Sequence, residues 1–145
     1  MIEDADCRVT AFVGQAAAHA TIWLDPPAPD EKRTGIGLYL LEIAEGRAPR
    51  EVSPAPMQVD LRYLVTAWAA TPADEHKLLS DVALAALGRE DVTSVFRTID
   101  PALWAGFRIP PRAAFFLQVP VRLERSQTRG PPVRETHTQV VPMEP

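Results

Sequence analysis

Residues 57–69, MQVDLRYLVTAWA, alternate between two sets of side chains. Met57, Val59, Leu61, Tyr63, Val65 and Ala67 form one set; Gln58, Asp60 and Arg62 open the other, which closes with Leu64, Thr66 and Trp68. A period of two predicts a strand, half exposed at its start and buried on both faces at its end. In IGLYLLEIA (36–44), Leu38 and Leu40 share one face while Tyr39, Leu41 and Ile43 share the other. That pattern predicts a strand in the middle of a sheet covered on both sides. HATIWL (19–24) reads as a shorter strand, and AAFFLQVPVRLE (113–124) as another, with Phe115, Leu117, Val119, Val121 and Leu123 on one face. Pro120 has no N–H for a ladder, which predicts an edge or a bulge at that point.

Elsewhere the spacing is helical. Ile2, Ala5, Val9, Phe12 and Val13 predict a short amphipathic helix over 2–14. Thr71 suits an N-cap and Pro72 the first helical position, with Asp74 and Glu75 in the first turn, where they complement the positive end of the helix dipole. Leu78, Leu79, Val82, Ala86 and Leu87 then make one apolar stripe, and Gly88 is the expected stop. Asp100 and Pro101 repeat the cap-then-proline signal and predict a turn of helix within DPALWAGF (100–107). The fold class expected is α/β (α+β): one domain over 1–124, with a mixed, mostly antiparallel sheet flanked by two or three helices. An extended proline-rich arm over 125–145 follows.

The totals narrow the function. The 145 residues suit one domain, and 46% apolar content supports a real core. A net charge of −4 is too mild for nucleic acid or an anionic membrane as the main partner. Among the cations only Lys32 and Lys77 are lysines. The arginine excess suits interfaces, whose carboxylates the planar guanidinium grips with paired bonds, or reflects a GC-rich coding sequence that raises Arg, Ala and Pro together. Fifteen prolines concentrate in 26–56 and 110–145, marking a long internal loop and an extended tail. The single cysteine, Cys7, excludes an internal disulfide and fits a reducing compartment. The start, MIEDADCRVT, is acidic where a secretion signal needs a basic flank, and no apolar run approaches a membrane span. A cytoplasmic protein is expected.

Catalytic patterns are absent from the sequence. The trio Asp74, Glu75 and His76 is explained by the helix start, and His76 is followed four residues later by Ser80 rather than by a second metal ligand. TGIGLY lacks the third glycine of a nucleotide loop, no G-x-S-x-G elbow occurs, and Cys7 reads as a buried or half-buried small residue. Trp23, Trp68 and Trp104 read as core anchors. No cofactor, metal or catalytic residue is expected. The positive signal is the arm, where Arg125, Arg129 and Arg134 surround VRETHTQVV, a plausible strand for addition to another sheet, with a disordered tail as the alternative.

WLDPP, a proline-interrupted loop, GIGLYLLEI, VDLRYLVTAWAATPADEHKLLSDVALAAL, FFLQVPV and PPVRE occur in this order over about 20–135. This pattern resembles the cap, or tail-terminator, family of phage-tail-like contractile injection systems. The resemblance implies a six-fold ring, a homohexamer, at the particle end away from the baseplate, seated on the last layer of inner tube and sheath and stopping both from growing. Partners are then the chain itself, sheath protein and inner-tube protein, without nucleic acid or membrane. Two departures stand out: Gly37 replaces a residue often polar in relatives, and the chain lacks the further C-terminal domain of some members. Loops 26–35 and 45–56 and the edge strands are expected to make ring contacts, and the arm to reach sheath. Arg33, Arg62, His76, Arg125, Arg129, Val133, Arg134 and Glu135 are the interface residues expected. The alternatives are a phage-tail completion or adaptor protein, and a small enzyme or ligand-binding domain with a pocket where Trp68, Asp74 and His76 converge.

Overall fold

A computed structural model describes residues 1–47 and 56–123. Along the chain it contains α1 (Ile2–Ala16), β1 (Thr21–Trp23), β2 (Gly35–Glu45), β3 (Met57–Trp68), α2 (Pro72–Ala85), β4 (Thr93–Val95), α3 (Pro101–Phe107) and β5 (Ala114–Leu123). The strands form one sheet in the order β1-β2-β3-β5-β4, antiparallel except for the parallel pair β1 and β2. The mixed, mostly antiparallel α+β architecture expected from the sequence is the one found.

Alternation in β3 sorts its side chains onto two unlike faces. Leu61, Tyr63 and Val65 meet Val9, Phe12 and Val13 of α1, Leu79 and Val82 of α2, and Leu117 of β5 in the larger core. On the other face Leu64 and Phe116 meet Trp104 of α3 and Ile109, with Leu41, Trp68 and Phe107 packed around them. The short α3 covers only the part of this face where β3 is apolar. Nearer the start of β3, Gln58, Asp60 and Arg62 occupy the same face, so the gradient expected along the strand is present.

The helix signals translate directly. Thr71 Oγ1 accepts from the Asp74 N–H at 3.2 Å, Pro72 opens α2, and Gly88 (φ 76°) follows the helix end. The Asp100 carboxylate accepts from the Ala102 N–H at 2.9 Å to start α3, which runs two turns rather than one before Arg108 (φ 60°) ends it.

Several expectations need correction. β2 is covered as an interior strand only over Gly35–Leu38, because β1 flanks just Gly35–Gly37. A bulge between Leu40 and Glu42 inserts Leu41 as an extra residue, so Ile43 pairs with Leu61 and leaves the face of Tyr39 and Leu41. Ile43 is 59% exposed there. β1 begins at Thr21, since His19 takes a left-handed turn (φ 72°). Leu87 is exposed, because α2 has already ended at Ala85 and the chain is turning toward Gly88. Cys7 is exposed: two residues from both Ala5 and Val9, it points away from the face of α1 they bury. β4 was not expected at all. It pairs only with Phe116–Gln118, which leaves Pro120 on an outer edge, as its missing N–H requires.

Candidate assembly surfaces

Beyond the part that α3 covers, the same face carries a connected set of polar side chains, with Asp60 buried among them. Arg62 Nη1 donates to Glu42 Oε2 at 2.9 Å and Arg62 Nε to Gln118 Oε1 at 3.1 Å. Gln118 Nε2 donates to Asp60 Oδ2 at 3.0 Å, and Gln58 Nε2 to Asp60 Oδ1 at 3.2 Å. Arg97, from the segment after β4, bonds the other Glu42 oxygen while lying over the Phe116 ring. Two cations and two anions thus balance across β2, β3 and β5. The bulge is what delivers Glu42 to this face, opposite Arg62. Burial pushes the Glu42 carboxyl up, but hydrogen bonds from Arg62 and then Arg97 outweigh it and hold the group below its ordinary value. Beside the set, Leu41, Glu42, Arg97, Ile99, Leu103 and Phe116 border an open groove of about 620 Å³.

A second arrangement fixes the loop between β1 and β2. Arg33 donates to both oxygens of Glu31, at 2.8 and 2.7 Å, and to Asp25 Oδ2 at 3.0 Å, with its guanidinium 4.3 Å from the Trp23 ring centre. The Arg33 hydrogen bond holds Glu31 at about 2. Trp23 lies across Gly37, where a Cβ would stand 2.8 Å from Thr66 Oγ1 and 3.1 Å from Trp23 Nε1. Glycine at 37, the departure noted in the sequence, leaves room for this indole.

Of the expected interface residues, Arg33 and Arg62 are therefore occupied within the chain, each bonded to neighbours it also positions. His76 is exposed on α2. Among the described residues, the cavity that Asp74 borders is lined by neither Trp68 nor His76. Arg125, Arg129, Val133, Arg134 and Glu135 lie outside the described residues, as does most of the 45–56 loop. Sequence reasoning missed Arg97 and Gln118, and also Arg112, which bonds Ala67 O at 2.8 Å and Glu75 Oε1 at 2.9 Å while stacking 3.7 Å over Trp68. Only tertiary structure brings these partners together. Among the described residues no group of three His, Cys, Asp or Glu is placed to hold a metal, and no helix is long and apolar enough to cross a membrane.

Comparison with solved structures finds the same fold in two assembly proteins. One is the PVC sheath/tube terminator of an extracellular contractile injection system in its extended state, with TM-score 0.68 and 18% identity over 99% of this chain. The other is the tube-terminating cap of the anti-feeding prophage, with TM-score 0.62 and 17% identity over 97% of this chain. This chain covers 64% and 62% of the length of those two proteins. Comparison with curated protein sequences gives no match. Residues 9–95, from α1 through β4, match the Pvc16 N-terminal domain. With most of the larger core inside that span, the chain belongs to the Pvc16 N-terminal domain family.

Proposed function

We propose that this chain is a structural cap of a contractile injection particle. It forms a six-membered ring on the last layer of inner tube and sheath, at the end away from the baseplate, and stops both from growing. The observation that carries this reading is the joint agreement of family and fold: the Pvc16 N-terminal domain match together with a TM-score of 0.68 to a sheath/tube terminator. A ring whose lower face reproduces a tube-binding surface, and whose upper face does not, ends a polymer. Closed cyclic symmetry requires unlike patches to meet between neighbours, and a sheet with two different edges and two different faces supplies them. Residues 1–124 act as the cap body and 125–145 as an arm. Arg33, Arg62 and His76 on the body, and Arg125, Arg129, Val133, Arg134 and Glu135 on the arm, contact neighbouring subunits, sheath or tube. The protein performs no chemistry and joins the particle in the cytoplasm.

The test is to remove this chain from a strain that makes the particle and to measure tube and sheath lengths by electron microscopy. The expected result is a broad length distribution with open ends, restored by supplying the chain. Unchanged lengths, with the protein at neither end of the particle, would refute the reading. Native mass spectrometry tests the ring itself, with an expected mass of six 15.9-kDa subunits.

A further inference from the structure

The two margins of the sheet are finished differently. β1 pairs with β2 only at Gly35–Gly37, and no backbone hydrogen bond from a described residue reaches the outer side of Leu38–Glu45. Among the described residues β5 is likewise open beyond Gln118, where β4 stops. On β5, however, Pro120 removes a donor and Arg122 adds a charge, both of which discourage strand pairing. The open stretch of β2 reads LYLLEIAE. It has no proline and no cation. Its two acids are Glu42, neutralised by Arg62 and Arg97, and Glu45 at the end of the strand. Ile43 stands 59% exposed in the middle. The bulge bends this edge, and the one charge it turns, Glu42, is already balanced by Arg62 and Arg97. Among the described residues this apolar edge is guarded only by the bulge and by Glu45 at its end, which leaves it a pairing template.

The chain itself carries a segment to fill it. β5 ends at Leu123, opposite Met57, at the same end of the sheet as Glu45. Beyond it lie residues 124–145, and within them VRETHTQVV (133–141) offers nine residues rich in valine and threonine, against the eight open positions of β2. The nine residues before it reach about 30 Å when extended. Pro131 and Pro132 stand immediately ahead of the segment and favour extended backbone over the reversal needed to return to the same sheet. A head-to-tail ring brings two unlike patches together, and the two different margins of this sheet are such a pair.

We propose that residues 133–141 of one copy pair with the open edge of β2, Leu38–Glu45, in the next copy, so that exchanged strands lace the ring. This rests on the ring reading above and redirects the arm from sheath to the neighbouring subunit.

The test uses the full chain with the exposed Cys7 replaced (Cys7→Ser) and cysteines introduced as Ala44→Cys and Thr138→Cys. A short thiol cross-linker is applied across a concentration series, with native mass read in parallel. The expected result is a covalent ladder rising to the ring's subunit number, absent beyond dimer in either single-cysteine variant. A cross-linked species confined to the monomer would place the arm on its own sheet and overturn the exchange. An intact ring without cross-links would overturn the exchange and leave the ring standing; a strict monomer without cross-links would remove both. Should the cysteine variant fail to fold, hydrogen exchange on the unaltered chain decides. Amides of 38–45 should gain at least tenfold protection as the protein assembles, whereas protection that is absent, or equal at every concentration, would overturn the proposal.

Discussion

Tyr63 is fully buried in the larger core, and its hydroxyl donates to Asp6 Oδ1 of α1 at 2.6 Å. Burial, and then this bond to a carboxylate, push its phenol pKa well above the ordinary value. Removing one partner or the other is not symmetrical. Tyr63→Phe deletes the donor and leaves Asp6, which is half-buried and able to take up water, so the cost is the net bond, about 1 kcal/mol. Asp6→Ala leaves a buried hydroxyl without a partner. It forfeits a bond to a charged group and adds an unmet donor, about 2–3 kcal/mol, offset by up to about 0.7 kcal/mol of better helix propensity. The decisive variant is the double one. Adding Tyr63→Phe to Asp6→Ala removes the orphaned hydroxyl, so the double variant should be more stable than Asp6→Ala alone by about 1 kcal/mol. Urea unfolding followed by tryptophan fluorescence measures all four proteins, with unchanged slopes licensing the comparison. If the two costs simply add, the hydroxyl was never stranded and the reasoning fails.

Gly37→Ser should destabilise by about 1–3 kcal/mol through overpacking, since its Cβ meets Thr66 Oγ1 at 2.8 Å, and should shift the tryptophan emission as Trp23 moves. Arg112→Ala should cost about 2 kcal/mol in the same urea assay, from a bond to a charged partner and the stack on Trp68; Arg112→Lys should recover only part of it, because an ammonium does not stack as a plane. Glu42 is held below its ordinary value of 4.5, so its stabilisation is present above that pH and is lost as pH falls through the lower folded value. Melting temperature should therefore drop on acidification below about 4.5, and Glu42→Gln should flatten that part of the profile. Glu31, held at about 2 by Arg33, whose own side chain is 42% exposed to screening solvent, should contribute little between 4.5 and 2, so Glu31→Gln should leave the profile nearly unchanged.

Legibility in the sequence followed how local each signal was. The start of α2 could be read because Thr71 and Pro72 act within one turn, and β3 because its alternation runs twelve residues without a break. β4 could not, since three residues of Thr-Ser-Val carry no periodicity and exist as a strand only beside Phe116–Gln118. The bulge was hidden inside an apolar run, where Leu41 and Ile43 look interchangeable until pairing with β3 is known. Arg33 had its partner two residues away at Glu31 and was readable in principle. The partner of Arg62 lies across strands at Glu42, which reaches the right face only because of that bulge. Exposure of Cys7 was readable too, from its angle relative to Ala5 and Val9 on the helix.

The extra residue in β2 also gives the strand slack in length. A one-residue deletion inside a sheet ordinarily turns every later side chain to the opposite face. Here Leu41 has no partner of its own, and Leu40 with Tyr63 and Glu42 with Arg62 pair on either side of it. Losing Leu41 would therefore join two stretches already in step, keeping the Glu42 carboxylate with its arginines and Ile43 on its own side. Chains of this fold can differ by one residue at this point and still keep the register of every later pair.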